Sequence, residues 1–331
     1  MSTQTFRALL AEGSLNKYTA NFKQLEIESL PAGDILVGVA YSSLNYKDGL
    51  AVTGRGKIIH ELPMVPGNDF VGTVVESSSS EFRSGDNVIG IGRGLGESRW
   101  GGYSQFVRVP ASTLVKVPGG LSPIQCMAIG TAGFTSMLSL IALEKHGILP
   151  DERELLVTGA AGGVGSTSVA LFSTRGFRVA ASTGRLELAS YLHGLGADSI
   201  VPRVELGQKL PPLVTQRWAG GVDTVGGQTL ASFLAATVTY GAIAVTGLVS
   251  SAELPVTVFP FILRGVSLLG ISCSLTPEPQ RSQAWKRLAE EMPLGKLDTI
   301  TCVEPLSEIK RLSDRILSGK IRGRIVLDVN K

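Results

Sequence analysis

The sequence predicts an α/β protein in two parts, a barrel-like β-rich region followed by a doubly wound parallel sheet, and three observations carry that prediction. Before Ser122, short β-forming runs are separated by clusters of Gly, Pro, Asn and Asp. After it, helical stretches alternate with short, nearly continuous apolar strands, the pattern of a parallel sheet covered on both faces. A glycine-rich turn joins one of those strands to one of those helices. The chain has 331 residues, room for about two domains. With 44% hydrophobic and 18% charged residues it is too apolar for intrinsic disorder. Its 31 basic and 28 acidic residues are scattered, for a net charge of +3, which disfavours nucleic acid as the main partner.

In chain order, strands are expected at Ile35–Tyr41, Val71–Glu76, Asn87–Ile91 and Ser104–Val109, then at Leu155–Thr158, Val179–Ser182, Ser199–Val201, Thr224–Val225 and Ala242–Thr246. The uncharged run Leu230–Val249 has the length of a bilayer span, but Thr237, Thr239, Tyr240 and Gly241 interrupt it. It reads as a buried helix, a turn at Tyr240-Gly241 and a buried strand, so no membrane partner is expected. Val266–Ile271 is a hydrophobic strand suited to the edge of a sheet. A helix over Arg281–Glu291, a strand at Ile300–Val303, a helix over Ser307–Leu317 and a strand at Arg324–Val329 complete the chain. Cys126, Cys273 and Cys302 are far apart and form no disulfide or metal-knuckle pattern. Together with a start, MSTQTFRALLAEG, that lacks a signal-peptide pattern, they lead us to expect a cytoplasmic protein.

The most informative segment is Leu155-Leu-Val-Thr-Gly-Ala-Ala-Gly-Gly-Val-Gly-Ser-Thr-Ser-Val-Ala170. It reads as strand, turn and helix start, the context that a dinucleotide-binding turn requires. Gly162, Gly163 and Gly165 let the chain turn tightly and bring backbone N–H groups to a pyrophosphate. Ala161 and Val164 share that turn, and the helix N-terminus adds its partial positive charge. At the end of the next strand, where an acidic residue would hold a ribose 2′-hydroxyl, the chain reads Ser182-Thr183-Gly184-Arg185. An arginine and two hydroxyls suit a 2′-phosphate, so the expected cofactor is NADPH. Arg203, just after the third strand of this half, is a second phosphate candidate.

The turn also fits the short-chain dehydrogenase pattern through Thr158, Gly159, Gly163 and Gly165, yet no tyrosine in the sequence has a lysine four positions later. Six further segments point elsewhere. Ser43-Leu-Asn-Tyr-Lys-Asp48, Pro66-Gly-Asn-Asp-Phe-Val-Gly-Thr-Val74, Trp100-Gly-Gly-Tyr-Ser104, Gly130-Thr-Ala-Gly-Phe-Thr135, Pro260-Phe-Ile-Leu-Arg264 and Ile321-Arg-Gly-Arg324 resemble the acryloyl-CoA reductase and quinone oxidoreductase branch of the medium-chain dehydrogenase/reductase superfamily. The resemblance spans essentially the whole chain. It implies a GroES-like β-barrel catalytic domain, residues 1–122 and 298–331, and a Rossmann NADP-binding domain, residues 123–297, with the active site in the cleft between them and pairing of two copies through the nucleotide-domain sheet.

Zinc members of the superfamily carry an early Cys and a Gly-His-Glu, an N/S donor set able to polarise an alcohol oxygen. Here Asn68-Asp69 stands in the His-Glu place, the early Cys is replaced within Tyr41-Ser-Ser-Leu-Asn45, and His60, His146 and His193 lack ligand spacing. Zinc-dependent alcohol oxidation is therefore not expected. Without a metal, the chemistry left is hydride addition to an already electrophilic carbon, such as the β-carbon of an unsaturated thioester. Tyr46, which the resemblance sets beside the nicotinamide, is the candidate proton or hydrogen-bond donor, and Asn45 a second polar partner. An alternative is that Tyr46 only shields the nicotinamide while water supplies the proton. By the same resemblance Thr131 approaches the nicotinamide, Leu248 lines its pocket, and Ile262 and Arg324 complete the wall. Arg55, Lys57, Arg93 and Arg99 fall in loops able to meet the phosphates of a CoA thioester. Three readings follow: an NADPH-dependent reductase of activated C=C bonds, a quinone reductase, or a nucleotide-binding protein without turnover.

Overall fold

The computed structural model describes residues 4–331; Met1–Thr3, the beginning of the segment read above for a signal, lie outside the described residues. The chain divides into two compact units, Met1–Thr131 with Ser274–Pro277 and Thr301–Lys331, and Ala132–Cys273 with Glu278–Ile300.

In the first unit β1 (Thr5–Ser14) and β2 (Lys17–Glu26) form an antiparallel hairpin. Then come β3 (Ile35–Leu44), α1 (Tyr46–Thr53), β4 (Asp69–Ser77), β5 (Asn87–Ile91), β6 (Phe106–Val109) and β7 (Leu114–Lys116). The hairpin was not foreseen, because its second strand is largely exposed and reads as polar rather than alternating. The strand expected from Ser104 starts at Phe106, Ser104 instead bridging to Ala8 of the hairpin. α2 (Pro123–Lys145) is interrupted at Gly130, whose backbone at φ 45° and ψ −156° is not helical. It is the one helix among the described residues long and apolar enough to cross a membrane, and it is mostly buried inside the fold.

The second unit continues α2 and adds β8 (Glu154–Val157), α3 (Gly163–Thr174), β9 (Arg178–Thr183), α4 (Ala189–Leu195), β10 (Ser199–Pro202), α5 (Arg203–Leu206), β11 (Trp218–Asp223), α6 (Gly227–Ala236), β12 (Thr237–Val245), α7 (Phe259–Arg264), β13 (Ser267–Gly270), α8 (Glu278–Glu291) and α9 (Leu294–Ile300). All six strands are parallel, in the order β10-β9-β8-β11-β12-β13. Numbered from β8, that is the 3-2-1-4-5-6 order of a doubly wound dinucleotide-binding sheet. Two elements differ from expectation. The fourth strand is Trp218–Asp223 rather than Thr224–Val225, because Gly220 and Gly221 sit in its middle and mask its β pattern. The fifth starts at Thr237, five residues before Ala242, and runs straight through Tyr240-Gly241; Tyr240 takes φ 59°, and the register against β11 shifts there. The turn expected at that point is an irregularity within a strand.

The chain then returns to the first unit as β14 (Thr301–Pro305), α10 (Ile309–Leu317) and β15 (Arg324–Asp328), giving the sheet path β14-β15-β3-β4-β5-β7, with β6 paired to β3. This return sets β15 beside β3, pairing Ile325 with Leu44, so that Arg324 at the start of β15 reaches the end of β3. The core of this unit gathers Phe6, Leu9, Ile35, Leu44, Met64 and Phe70. That of the second gathers Leu156, Leu234, Phe233, Ile243 and Trp218.

Candidate active site

Each unit holds one set of candidate site residues. In the second, the chain leaves β8 through Gly159 at φ 60° and enters α3 with Gly162 as its N-cap. The need for glycine is sharpest at Gly165, where a Cβ would lie 2.3 Å from the Gly159 carbonyl oxygen and 2.5 Å from the Ala160 Cα. Ala161 is buried while Gly162, Gly163 and Val164 are partly open, so the first turn of α3 keeps accessible backbone N–H groups. Behind the turn, at the switch point between β8 and β11, the buried Asp223 accepts from the Thr158 hydroxyl at 2.6 Å and the Gly226 amide at 2.7 Å. Burial pushes the Asp223 carboxyl above its ordinary pKa. The Asp223 backbone also accepts from Thr246, which ties the segment that follows β12 and leads to Leu248 to this end of the sheet.

Beside the turn, β9 ends in Ser182 and Thr183. Ser182 is buried with its hydroxyl unpartnered, and the Thr183 hydroxyl accepts from the Arg185 amide at 3.0 Å. Arg185 lays its guanidinium on the Ala161 carbonyl at 3.2 Å. Arg203, at the start of α5, brings its guanidinium against Gly184 so closely that a Cβ there would meet its Cζ at 2.7 Å. Two arginines therefore flank Gly184, a donor set with the charge and hydrogens for a phosphate dianion. No carboxylate in this group would favour a bare ribose hydroxyl.

In the first unit a buried polar cluster forms where β3, α1, β4, β15 and the broken α2 meet. Asp69, fully buried in β4, accepts at one carboxylate oxygen from the Ser43 hydroxyl, Asn45 Nδ2 (2.9 Å) and the Thr131 amide (2.9 Å), and at the other from the Thr131 hydroxyl and Asn68 Nδ2 (3.2 Å). Asp48 in α1, also buried, accepts from Asn45 N (2.9 Å), Asn45 Nδ2 (3.0 Å) and Asn68 N (2.8 Å). Arg324 is only 2% exposed and donates to the carbonyls of Ala128 (2.9 Å), Met127 and Leu44, to the Ser43 hydroxyl (2.9 Å) and to Asn45 Oδ1 (3.0 Å), with Asp69 3.9 Å away. Gly130 opens the helix here: a Cβ at that position would lie 2.6 Å from Arg324 and 2.7 Å from Asp69.

Two carboxylates and one guanidinium thus share one dry space. Burial, followed by repulsion from Asp69, raises the Asp48 pKa to about 7, while burial pulls that of Arg324 down. The Tyr103 phenol, donating to the Ser43 carbonyl at 3.1 Å, is pushed well up by burial and by both carboxylates.

These contacts sort the expected site residues. The Asn45 amide hydrogens are directed to buried oxygens and its Oδ1 accepts from Arg324, so Asn45 orients its neighbours. Thr131 directs its hydroxyl hydrogen to Asp69, and its hydroxyl oxygen accepts from Asn68 Nδ2 at 2.7 Å. Arg324 spends its donors inside the unit rather than forming an open wall. The half-buried Tyr46, first residue of α1, has a hydroxyl with no hydrogen-bond partner among the described residues. Leu248 and Ile262 are exposed, at 63% and 68%, as is Arg203. Among the described residues no group of three or more His, Cys, Asp or Glu converges to hold a metal ion. Asp48, Asn68, Asp69, Ser43 and Tyr103 were not foreseen as a cluster. Only the capping-box spacing of Asn45 and Asp48 hinted at it.

Comparison with known proteins agrees with both halves. Residues 31–119 match the alcohol dehydrogenase GroES-like domain and residues 163–291 the zinc-binding dehydrogenase domain. The acrylyl-CoA reductase AcuI of Ruegeria pomeroyi is 48% identical over 95% of this chain and 96% of its own. The Salmonella enterica YhdH oxidoreductase, solved with NADP, superposes with a TM-score of 0.95 at 45% identity over 97% of this chain and 99% of its own. YhfP of Bacillus subtilis, provisionally named a quinone oxidoreductase, is 43% identical over 99% of both chains, and its structure holds NAD. The chain is therefore a member of the medium-chain dehydrogenase/reductase superfamily, in the branch that contains the acrylyl-CoA reductases and the YhdH and YhfP oxidoreductases.

Proposed function

We propose that this protein is a zinc-independent, NADPH-dependent reductase that adds hydride to the β-carbon of an activated C=C bond, in acryloyl-CoA or a similar unsaturated thioester or carbonyl compound. The observation that carries the reading is the first-unit cluster. Asn68 and Asp69, which stand in the sequence where zinc relatives carry His-Glu, are engaged there with Asp48, Thr131, Ser43 and Asn45, and the Tyr46 phenol is left as a donor with no partner among the described residues. NADPH supplies the hydride. Gly162, Gly163, Val164 and Gly165 with Ala161 hold its pyrophosphate, and Ser182, Thr183, Gly184, Arg185 and Arg203 its 2′-phosphate. Thr131 approaches the nicotinamide, Leu248 lines its pocket, Ile262 forms part of the wall, and Arg324 fixes Asn45 from inside. Tyr46 stabilises the enolate oxygen or protonates the α-carbon.

The domain division proposed for this chemistry is residues 1–122 with 298–331 for catalysis and 123–297 for the cofactor. Arg93 and Arg99 are bonded to neighbouring carbonyls and Arg55 pairs with Asp314 at 2.8 Å, so a CoA tail would have to compete for them. β13 is an edge strand of its sheet, with Tyr240, Phe259, Ile262 and Leu263 exposed around it, which favours a homodimer paired along that edge in the cytoplasm. Quinone reduction is the second reading, favoured by the resemblance to YhfP. Incubation of NADPH with acryloyl-CoA and, separately, a simple benzoquinone decides between them. Saturable thioester turnover supports the first, and quinone turnover alone replaces it with the second.

A further inference from the structure

We infer that Asp48 is a positioning residue of the reduction: through Asn45 it fixes the start of α1, and with it the Tyr46 phenol, against the Asp69-centred cluster. The inference deepens the proposed function and rests on its assignment of Tyr46.

The geometry is that of a two-sided clamp. The Asn45 side-chain nitrogen stands 3.0 Å from Asp48 and 2.9 Å from Asp69, so one amide bridges two buried carboxylates. The Asn45 oxygen is held by Arg324 at 3.0 Å, which leaves the amide no freedom to flip. Asp48 also accepts from the Asn45 backbone amide, closing the capping box at the residue just before Tyr46. Its other oxygen takes the backbone amide of Asn68, whose side chain donates to the Thr131 hydroxyl at 2.7 Å. One side chain therefore connects the residue preceding Tyr46 to the residue that orients Thr131. From below, α1 is seated on α10 at Gly49, where a Cβ would lie 2.8 Å from Ile316. With its far side packed and its start clamped, α1 has one place to present the phenol. Asp48 is itself only 2% exposed, which suits a group acting through others rather than on substrate.

The test is a kinetic cycle of Asp48→Asn, Tyr46→Phe and the double variant, measured as kcat and KM for acryloyl-CoA and as Kd for NADPH. It is run beside hydrogen exchange of the peptide spanning residues 44–53. Asp48→Asn should lower kcat by roughly tenfold or more, since a misplacement of about 1 Å is enough for that. Kd for NADPH should stay within about twofold, exchange at the start of α1 should quicken, and the double variant should be no slower than Tyr46→Phe alone. An unchanged kcat and unchanged exchange in Asp48→Asn would overturn it. So would losses that multiply in the double variant, because Asp48 would then act independently of Tyr46. If the wild-type protein leaves acryloyl-CoA untouched, the proposed function fails, while the exchange comparison still decides whether Asp48 fixes α1. Should Asp48→Asn not fold, Asn45→Ser cuts the same bridge and carries the same expectations.

Discussion

Thr131 and Asp69 are joined twice, amide to one carboxylate oxygen at 2.9 Å and hydroxyl to the other, across the break that Gly130 makes in α2. A helix that ran on unbroken would bond the Thr131 amide to its own fourth-preceding carbonyl and could not offer it to Asp69. The backbone break and the buried anion are thus one feature. Asp69 is also the nearest countercharge to Arg324, so Asp69→Asn leaves a buried guanidinium poorly compensated and should destabilise the fold by about 3–5 kcal/mol. Urea unfolding of the two proteins measures it, and a loss within experimental error would show that Arg324 is neutralised in another way.

Arg203 against Gly184 makes a prediction about cofactor choice. Each guanidinium contributes a charge-assisted hydrogen bond to a 2′-phosphate, so Arg185→Ala and Arg203→Ala should each weaken NADPH binding by about 10- to 100-fold and leave NADH unaffected. Gly184→Ala should act in the same direction, since its Cβ meets the Arg203 guanidinium at 2.7 Å. Fluorescence titration with both nucleotides reads the difference.

Gly165→Ala should be more severe for every nucleotide. The new Cβ lands on backbone, 2.3 Å from the Gly159 oxygen, so the turn itself must open and no side chain can step aside. Binding of NADPH and NADH should fall together, which separates loss of the pyrophosphate turn from loss of the 2′-phosphate site.

The Asp48 carboxyl gives stability a pH dependence of definite sign. Its folded pKa, raised to about 7, lies above the ordinary carboxylate value, so over that interval the folded state holds the proton and the unfolded state does not. The stabilising contribution is complete below the unfolded pKa, around pH 4, and is lost as pH rises toward 7. Wild type should therefore lose stability relative to Asp48→Asn across that window, by up to about 1.4 kcal/mol per pH unit. Denaturant midpoints of the two proteins at pH 5 and pH 7.5 check it, and parallel profiles would contradict it.

Most of the second unit was legible in the sequence because its strands are local apolar runs and its turn is a contiguous motif. Glu154–Val157, Arg178–Thr183 and Ser199–Pro202 fall within a residue or two of expectation. β11 was misplaced because Gly220 and Gly221 carry no side chain to signal a strand, although a sheet interior needs just such small residues where neighbouring backbones approach. Asn45, Thr131 and Arg324 were each recognisable from short motifs. Their joining through Asp69 was not, because the partners are separated by 24, 62 and 255 positions and only the pairing of β15 with β3 and the break in α2 bring them together. Motif reading therefore suggested Asn45 and Arg324 as groups facing the ligand, whereas their hydrogen bonds turn inward.

Hydride delivery to carbon without a metal is tested by following the hydride itself. Acryloyl-CoA is reduced with NADPH carrying deuterium at both C4 positions of the dihydronicotinamide, in the presence of a chelator, and the product is analysed by mass spectrometry and NMR. The expected product is propionyl-CoA with one deuterium on the β-carbon and a solvent-derived hydrogen on the α-carbon, formed at the same rate with and without the chelator. Deuterium on any other carbon, or a reaction stopped by the chelator, would contradict it.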